Sequence, residues 1–488
     1  MTPPAGGSPF TQRVGALIAR SPVTCAPDTS AAEVARLLTR ERVGSAVVTD
    51  VDGRPIGIVT DRDLRRRVLA DGRDPTTTPA RAIMSAPLVT VGPDAFAFEA
   101  LLEMTRREIH HLPVVAHGRL VGVVSSHDFL VQQMHPVVLA RELAAADSLD
   151  ELARLGARTV PLVASLVDAG VDALEIGALV AELNDRLVAR VLALTERELA
   201  GGGAGRPPVP YSWLLFGSEA RREQTLRTDQ DNGLVYADPP PALAAAAGAY
   251  YARFAEAAIR GLVAVGFPPC PGNVMASNPA LCQPASVWTT TFRRWIDHPS
   301  PGEVLAASIH FDLRPLADDA RLAERLRSVI RTEAPASKVF LGLLAHDVVS
   351  RRVPLTVFGN IHRAASGPHR GRVDVKGAGM VQLVAAARVH ALELALDETE
   401  TVARFRGAGE RALYTPQETR EITDAYGFLM RVRLAHQLER VQAGAPPDNH
   451  VDPRMLSRTE MLLFRDALKI VARVQAGLRL RFSTDRLG

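Results

Sequence analysis

The sequence predicts a multidomain α/β and α+β protein: a repeated β-α module, a helical connector, a mixed sheet with helices, and an all-α C-terminal region. Three observations lead there. The chain has 488 residues, and at roughly 150 residues per domain that suggests about three domains. An N-terminal segment repeats, with Gly57 and Gly122 in corresponding places at a period of 65 residues. The apolar pattern then changes from short runs to spacings of three and four after His135, and again after about Asp318. Hydrophobic residues at 47% and charged residues at 23% exclude a mostly disordered chain.

The elements follow in order. Residues 1–10 are Pro/Gly-rich and read as a disordered tail. Residues 11–74 and 75–135 are the two repeats. The first has a helix at Ala31–Arg40, a strand pair turning at Asp52-Gly53, and a charged helix from Asp61. The second has a helix from Phe96, a strand pair turning at His117-Gly118, and then Ser126-His127-Asp128. Residues 136–204 form the connector, closed by the Gly/Pro-rich stretch 201–210. Residues 205–340 hold strands at Tyr211–Gly217, Asp231–Asp238 and Ala307–Leu316, a short helix beginning in ARREQTLR, and a long helix over Leu243–Gly266. Residues 341–488 are helical, with a polar interruption around Asn449.

Charge and cysteine narrow the function classes. The formal net charge is +3 and aromatic residues are 5%, which gives no basic stripe or stacking platform for nucleic acid. Lysine occurs only as Lys338, Lys376 and Lys469, so arginine, the better bidentate phosphate ligand, supplies nearly all positive charge. Cys25, Cys270 and Cys282 form no disulfide framework or zinc pattern. The start MTPPAGGSPF has no apolar core of a signal peptide, and no apolar run reaches about 18 residues. These features predict a cytoplasmic protein with no membrane contact.

One segment carries chemistry. Gly217-Ser218 ends a strand and opens a helix, where free backbone N–H groups favour phosphate. Asp229 and Asp231 follow, two residues apart and on one face if the strand includes both. Paired carboxylates repel unless a cation lies between them, and hard oxygen ligands suit Mg²⁺ or Mn²⁺ with substrate phosphates. Asp312, a lone acid in an apolar stretch, is the candidate third metal ligand or the base for an acceptor hydroxyl. Arg314 lies two residues on, placed for developing phosphate charge. Arg222, Glu223 and Lys376 complete the candidate triphosphate contacts, with an ion pair expected for at least one of the motif arginines. His110 and His111 read as hairpin-edge residues rather than ligands, and Trp213, Trp288 and Trp295 as core.

At these residues the chain resembles the nucleotidyltransferase superfamily, and most of all the bacterial protein uridylyltransferases and adenylyltransferases of nitrogen regulation. GSEARREQTLRTDQDNGLVY, CPGNVMASNP, FDLRP and RLAHQLERVQAGAPPDNHVDP resemble a family of signal-transduction nucleotidyltransferases with paired CBS (cystathionine β-synthase) domains. Ala220 stands where relatives often have glycine, and Leu281 where tryptophan is expected. GIVTDRD (Gly57–Asp63) and GVVSSHD (Gly122–Asp128) resemble the CBS signature. That implies an AMP- or ATP-type ligand held by Thr60, Asp63, Ser125 and Asp128; the alternative is that Asp63 and Asp128 only cap helices. The resemblance further implies an NTP donor, an acceptor protein and a homodimer through the CBS pair. The rival expectation is a non-catalytic, nucleotide-sensing scaffold. Transfer to a nucleic-acid end is a third reading, which the charge disfavours.

Overall fold

A computed structural model describes residues 13–18, 20–126, 136–226, 229–356, 361–364 and 366–486. The expected tail at residues 1–10 lies outside them. The chain forms two compact units: Met1–Arg141 with Asp168–Val171, and Glu142–Val167 with Asp172–Gly488.

The first unit contains both sequence repeats. In the first, Ser30 and Glu33 form a reciprocal capping box that starts the helix Ala31–Glu41. Strands Ser45–Thr49 and Pro55–Thr60 pair antiparallel, and Thr24–Cys25 adds a parallel edge. In the second, the helix Ala97–Arg107 precedes the hairpin His111–Ala116 and Arg119–Ser125. The two corresponding glycines have one physical reason. A Cβ on Gly57 would lie 2.4 Å from Met84 Sδ, and one on Gly122 would lie 2.6 Å from Ile18 Cδ1. In each repeat, a preceding or following segment crosses the strand at that point.

The second unit is built on a four-stranded sheet in the order Cys282–Pro284, Asn232–Tyr236, Tyr211–Phe216, Leu313–Asp318. Tyr211–Phe216 is buried at every position, antiparallel to both neighbours. It reads as a continuous apolar run because both faces are covered. Trp213 and Phe254 meet edge-on, and Phe216 packs against Trp288. Trp213, Trp288 and Trp295 are all buried. The helix Ala244–Ala264 lies in the span expected for it. Among the described residues, no helix is long and apolar enough to cross a membrane.

Three local expectations are corrected. The motif helix is a single turn, Gly217–Ala220, and Arg222 already has φ +56°. Asp229 and Asp231 precede the strand, which begins at Asn232. Residues 307–310 end a helix, Pro301–His310, and the strand begins only at Leu313. The signal for that helix is Ser300-Pro301-x-Glu303: the Ser300 side chain accepts from Glu303 N, and proline takes the first helical position.

His310 ends this helix in an aromatic cage, 4.7 Å from the Phe216 ring centre and 5.3 Å from that of Trp295. Burial pushes its imidazole down to about 4, against the Ala306 carbonyl, which pulls the other way. Folding therefore favours the neutral ring. That contribution is full above the unfolded value near 6.5 and is lost as the pH falls toward 4. Between pH 7 and pH 5 the second unit should lose about 2 kcal/mol more than a His310→Phe variant. Urea midpoints at the two pH values measure this; equal losses in both proteins would refute it.

The C-terminal helices surround Val381–Glu393, whose residues Gln382 through Leu392 are all buried. A helix enclosed on every side has no polar face, so its hydrophobic periodicity is weak. Capping boxes at Thr415–Glu418 and Ser457–Glu460 start the long helices Pro416–Gln442 and Arg458–Phe482.

Candidate functional site

The central strand delivers Gly217 to the sheet edge with φ +55°. A Cβ there would stand 3.3 Å from Asp231 Oδ2. Glycine thus gives both the left-handed turn and the room for the carboxylate. The Gly217 amide is already used, donating to the Asp312 carbonyl at 3.2 Å. Phe216 N donates to Asp231 O at 2.9 Å, and Asn232 N to Val274 O at 3.1 Å. Gln230 is buried and donates from its side chain to Phe267 O at 3.0 Å. Residues 267–276 therefore hold the aspartate segment from behind, and Asn232 Oδ1 accepts from Ala276 N.

Asp229 is exposed and Asp231 half-buried. Burial raises the Asp231 carboxyl; the Cys270 thiol, which donates to it, and Lys376 oppose that, while Asp229 adds to it. Glu219, buried on the motif turn, is raised well above the ordinary glutamate value by burial and by the charges of Asp231 and Asp185. The sequence reading did not single out Glu219.

The C-terminal helices add a cation to the aspartate site. Lys376 begins a π-helical turn, Lys376–Met380, leading into Val381–Glu393. Such turns recur at functional sites. Desolvation, then Arg433, lowers the Lys376 ammonium, and Asp231 and Asp229 pull it back up. So the structure brings together the rare lysine and the aspartate pair. Arg433 was also missed. It is buried, its Nε donates to Asn449 Oδ1 at 2.8 Å, and no carboxylate lies within ion-pair distance of it among the described residues, Asp374 acting on it from farther away. Burial brings its guanidinium down to about 10. The Asp448–His450 turn aligns these residues: Val375 N donates to Asn449 O, Gln437 Nε2 to Asn449 Oδ1, and Asp448 pairs with His436 at 2.7 Å.

Four of the expected contacts belong elsewhere. Asp312 is fully buried and holds three guanidiniums: Arg221 at 2.6 Å, Arg388 at 2.6 Å and Arg404 at 2.6 Å. Burial alone would raise its carboxyl, but Arg388, Arg404 and Arg221 reverse that and hold it well below the carboxylate range. Each of its oxygens already accepts two guanidinium contacts, and the arginines favour its ionised form, so the readings as third ligand and as base are withdrawn. Glu223 is likewise buried, accepting from Thr401 N, Thr401 Oγ1, Tyr426 Oη and Arg221 Nε. Arg314 is bidentate on Asp185, at 2.8 and 2.9 Å. Arg222 faces Glu182 at 3.3 Å. Both acids lie on the connector helix Ala173–Gly201, so these arginines tie that helix to the motif turn rather than to phosphate.

Gly217, Ser218, Asp229, Asp231 and Lys376 remain. Among the described residues, no group of three or more His, Cys, Asp or Glu side chains is placed to hold a metal ion. Two hard carboxylates that repel each other, with Lys376 acting on both, nevertheless fit a divalent ion that takes its other ligands from phosphate and water.

The first unit has its own cleft of about 260 Å³, lined among others by Arg20, Arg42, Ser45, His111 and Ser125. Thr60 and Asp63 form a capping box: Thr60 Oγ1 donates to Asp63 Oδ2 at 2.7 Å and accepts from Asp63 N at 3.3 Å. Helix capping is thus their role in the fold. Asp128 lies outside the described residues. His110 Nδ1 lies 3.3 Å from Ser126 Oγ.

A Gly-Ser turn beside two aspartates at the end of a mixed sheet, with a helical domain facing it, defines a nucleotidyltransferase-type unit joined to a β-α repeat pair. The chain matches the family described as Putative nucleotidyltransferase DUF294 over residues 157–302 and the Putative nucleotidyltransferase substrate binding domain over 338–482. It matches the CBS domain over 14–70 and 80–134. The chain belongs to the CBS-domain-containing nucleotidyltransferase family. It is 37% identical over 128 residues to the uncharacterized protein MK0525 of Methanopyrus kandleri, covering 26% of this chain and 64% of that protein. It is 34% identical over 201 residues to inosine-5'-monophosphate dehydrogenase of Mycobacterium tuberculosis, covering 40% of this chain and 36% of that enzyme. The CBS domain-containing protein YhcV of Bacillus subtilis is 36% identical over 111 residues, 23% of this chain and 78% of that protein. Among solved structures, the CBS domain protein PAE2072 from Pyrobaculum aerophilum complexed with AMP is 34% identical. It covers 26% of this chain and 95% of its own, with a TM-score of 0.24.

Proposed function

We propose that this protein moves a nucleoside monophosphate from an NTP to an acceptor hydroxyl, under control of an adenine nucleotide bound by the CBS pair. The observation that carries the reading is the packing of Asp231 against Gly217 at the Gly-Ser turn, with the charge of Lys376 acting on both aspartates and that of Arg433 acting on Lys376. Lys376 and Arg433 bind the triphosphate, and Ser218 lines the turn beneath it. Asp229 and Asp231 hold a divalent cation, Mg²⁺ or Mn²⁺, which supplies charge neutralisation on the phosphate oxygens when bound. The acceptor oxygen forms a bond to the α-phosphorus, the bond from that phosphorus to the bridging oxygen breaks, and pyrophosphate leaves. The acceptor proton is released to solvent, since caged Asp312 cannot take it. A regulatory protein as acceptor, as in the uridylyltransferases that the sequence resembles, and a homodimer through the CBS pair belong to the same reading.

Purified protein, Mg²⁺ and each α-labelled NTP in turn, mixed with clarified host lysate, test it beside an Asp229→Ala/Asp231→Ala control. A labelled product formed only by the wild type is expected, and it names the donor base. No label with any NTP, even with AMP or ATP present for the CBS pair, would leave the nucleotide-sensing scaffold as the function.

A further inference from the structure

Behind the aspartate segment lies a pocket of about 600 Å³, within the range of small-molecule sites. Val160, Val180, Leu187, Leu226 and Phe267 give it an apolar lining, and no charged side chain lines it. Gly217, Ser218, Asp229, Asp231, Lys376 and Arg433 are all absent from its wall, so it is separate from the aspartate site described above. Its one unmet demand is Thr225. That residue lines the pocket and is 2% exposed, and its hydroxyl has no hydrogen-bond partner among the described residues. A buried hydroxyl left unpaired is costly, and a ligand that pairs with it recovers that cost.

The position of the pocket matters as much as its chemistry. One side is the connector helix, through Val180, Asn184 and Leu187; the other is Thr225-Leu226, just ahead of the aspartates. Asn184 Nδ2 donates to Gln224 Oε1 at 3.3 Å, and Phe267 O accepts the Gln230 side chain. Whatever fills the pocket touches both the connector and Phe267, whose carbonyl accepts the side chain of Gln230 between the two aspartates.

We propose that this pocket binds a small, neutral, mostly apolar effector with one hydrogen-bonding group matched to Thr225, and that occupancy braces the aspartate segment against the connector helix. The proposal concerns binding and does not depend on nucleotidyl transfer taking place.

The probe is 1-naphthol, an apolar double ring with one hydroxyl, titrated by its fluorescence into the full-length protein. One equivalent should bind saturably, with or without MgUTP. Thr225→Val should weaken binding roughly five-fold, the worth of one neutral hydrogen bond. Ala264→Phe, which adds a ring at an exposed position on the pocket mouth, should weaken it at least ten-fold. Amide hydrogen exchange at Gln230 and Asn232 should slow on binding. Absence of saturable binding, binding untouched by Ala264→Phe, or displacement by MgUTP would each overturn the proposal. Binding without any change in those amides would overturn the bracing.

Discussion

Replacing Asp312 with alanine should destabilise the second unit by about 3–5 kcal/mol, the cost of removing one partner from a buried charge network. The variant would leave Arg221, Arg388 and Arg404 together, with the four oxygen–nitrogen contacts of their shared carboxylate gone. Arg404 gives the contrast. Its guanidinium is lowered by burial and by the neighbouring Arg388 and Arg221, against the pull of Asp312. Arg404→Met removes one of three like charges and leaves Asp312 with two partners, so its cost should be clearly smaller. Urea midpoints compare the two. The Asp312 contribution is present above the unfolded carboxylate value near 3.9 and is lost as the pH falls below it, because its folded value is depressed. An Asp312→Ala protein within about 1 kcal/mol of wild type would remove the cage from the account.

The second large effect concerns Arg433. Its guanidinium is buried beside Lys376 with an asparagine, not an acid, as its hydrogen-bond partner. A cation held this way costs stability in the free protein and repays it when an anion arrives. Arg433→Met should therefore leave the free protein as stable as wild type or more so. The same change should weaken binding of inorganic tripolyphosphate about 10- to 100-fold, the loss of a charge-assisted hydrogen bond. Calorimetry with tripolyphosphate avoids adenine sites in the first unit. A variant that loses stability yet keeps its affinity would show Arg433 to be structural only.

What the sequence could show was local. The repeat was legible because Gly57 and Gly122 each answer to one crossing segment, and the turns because Asp52-Gly53 and His117-Gly118 are chemically marked. The approach of Gly217 to Asp231 follows from the antiparallel pairing of consecutive strands, which the structure supplies. Lys376 was visible only because lysine is rare. Asp312 shows the limit. An acid in an apolar run looks the same whether it waits for a metal or is saturated by arginines 76 to 92 residues later in sequence or earlier, and only the fold tells which. Arg433, Glu219 and the connector acids Glu182 and Asp185 were hidden for the same reason: their partners lie on other elements. The strand expected over Ala307–Leu316 begins only at Leu313, because the short apolar run ahead of it fits either period and belongs to the helix Pro301–His310, whose Ser-Pro-x-Glu start is present in the sequence.

The arginine cage also bears on how this protein can be divided or recombined. Arg221, Glu223 and Asp312 come from the sheet portion, and Arg388, Thr401, Arg404 and Tyr426 from the helices. A fragment ending between them would leave Asp312 and Glu223 with Arg221 as their one guanidinium on one piece, and Arg388 and Arg404 without their carboxylate on the other. Chimeras between relatives should therefore exchange these seven positions as one inherited block, wherever the sequence boundary is drawn.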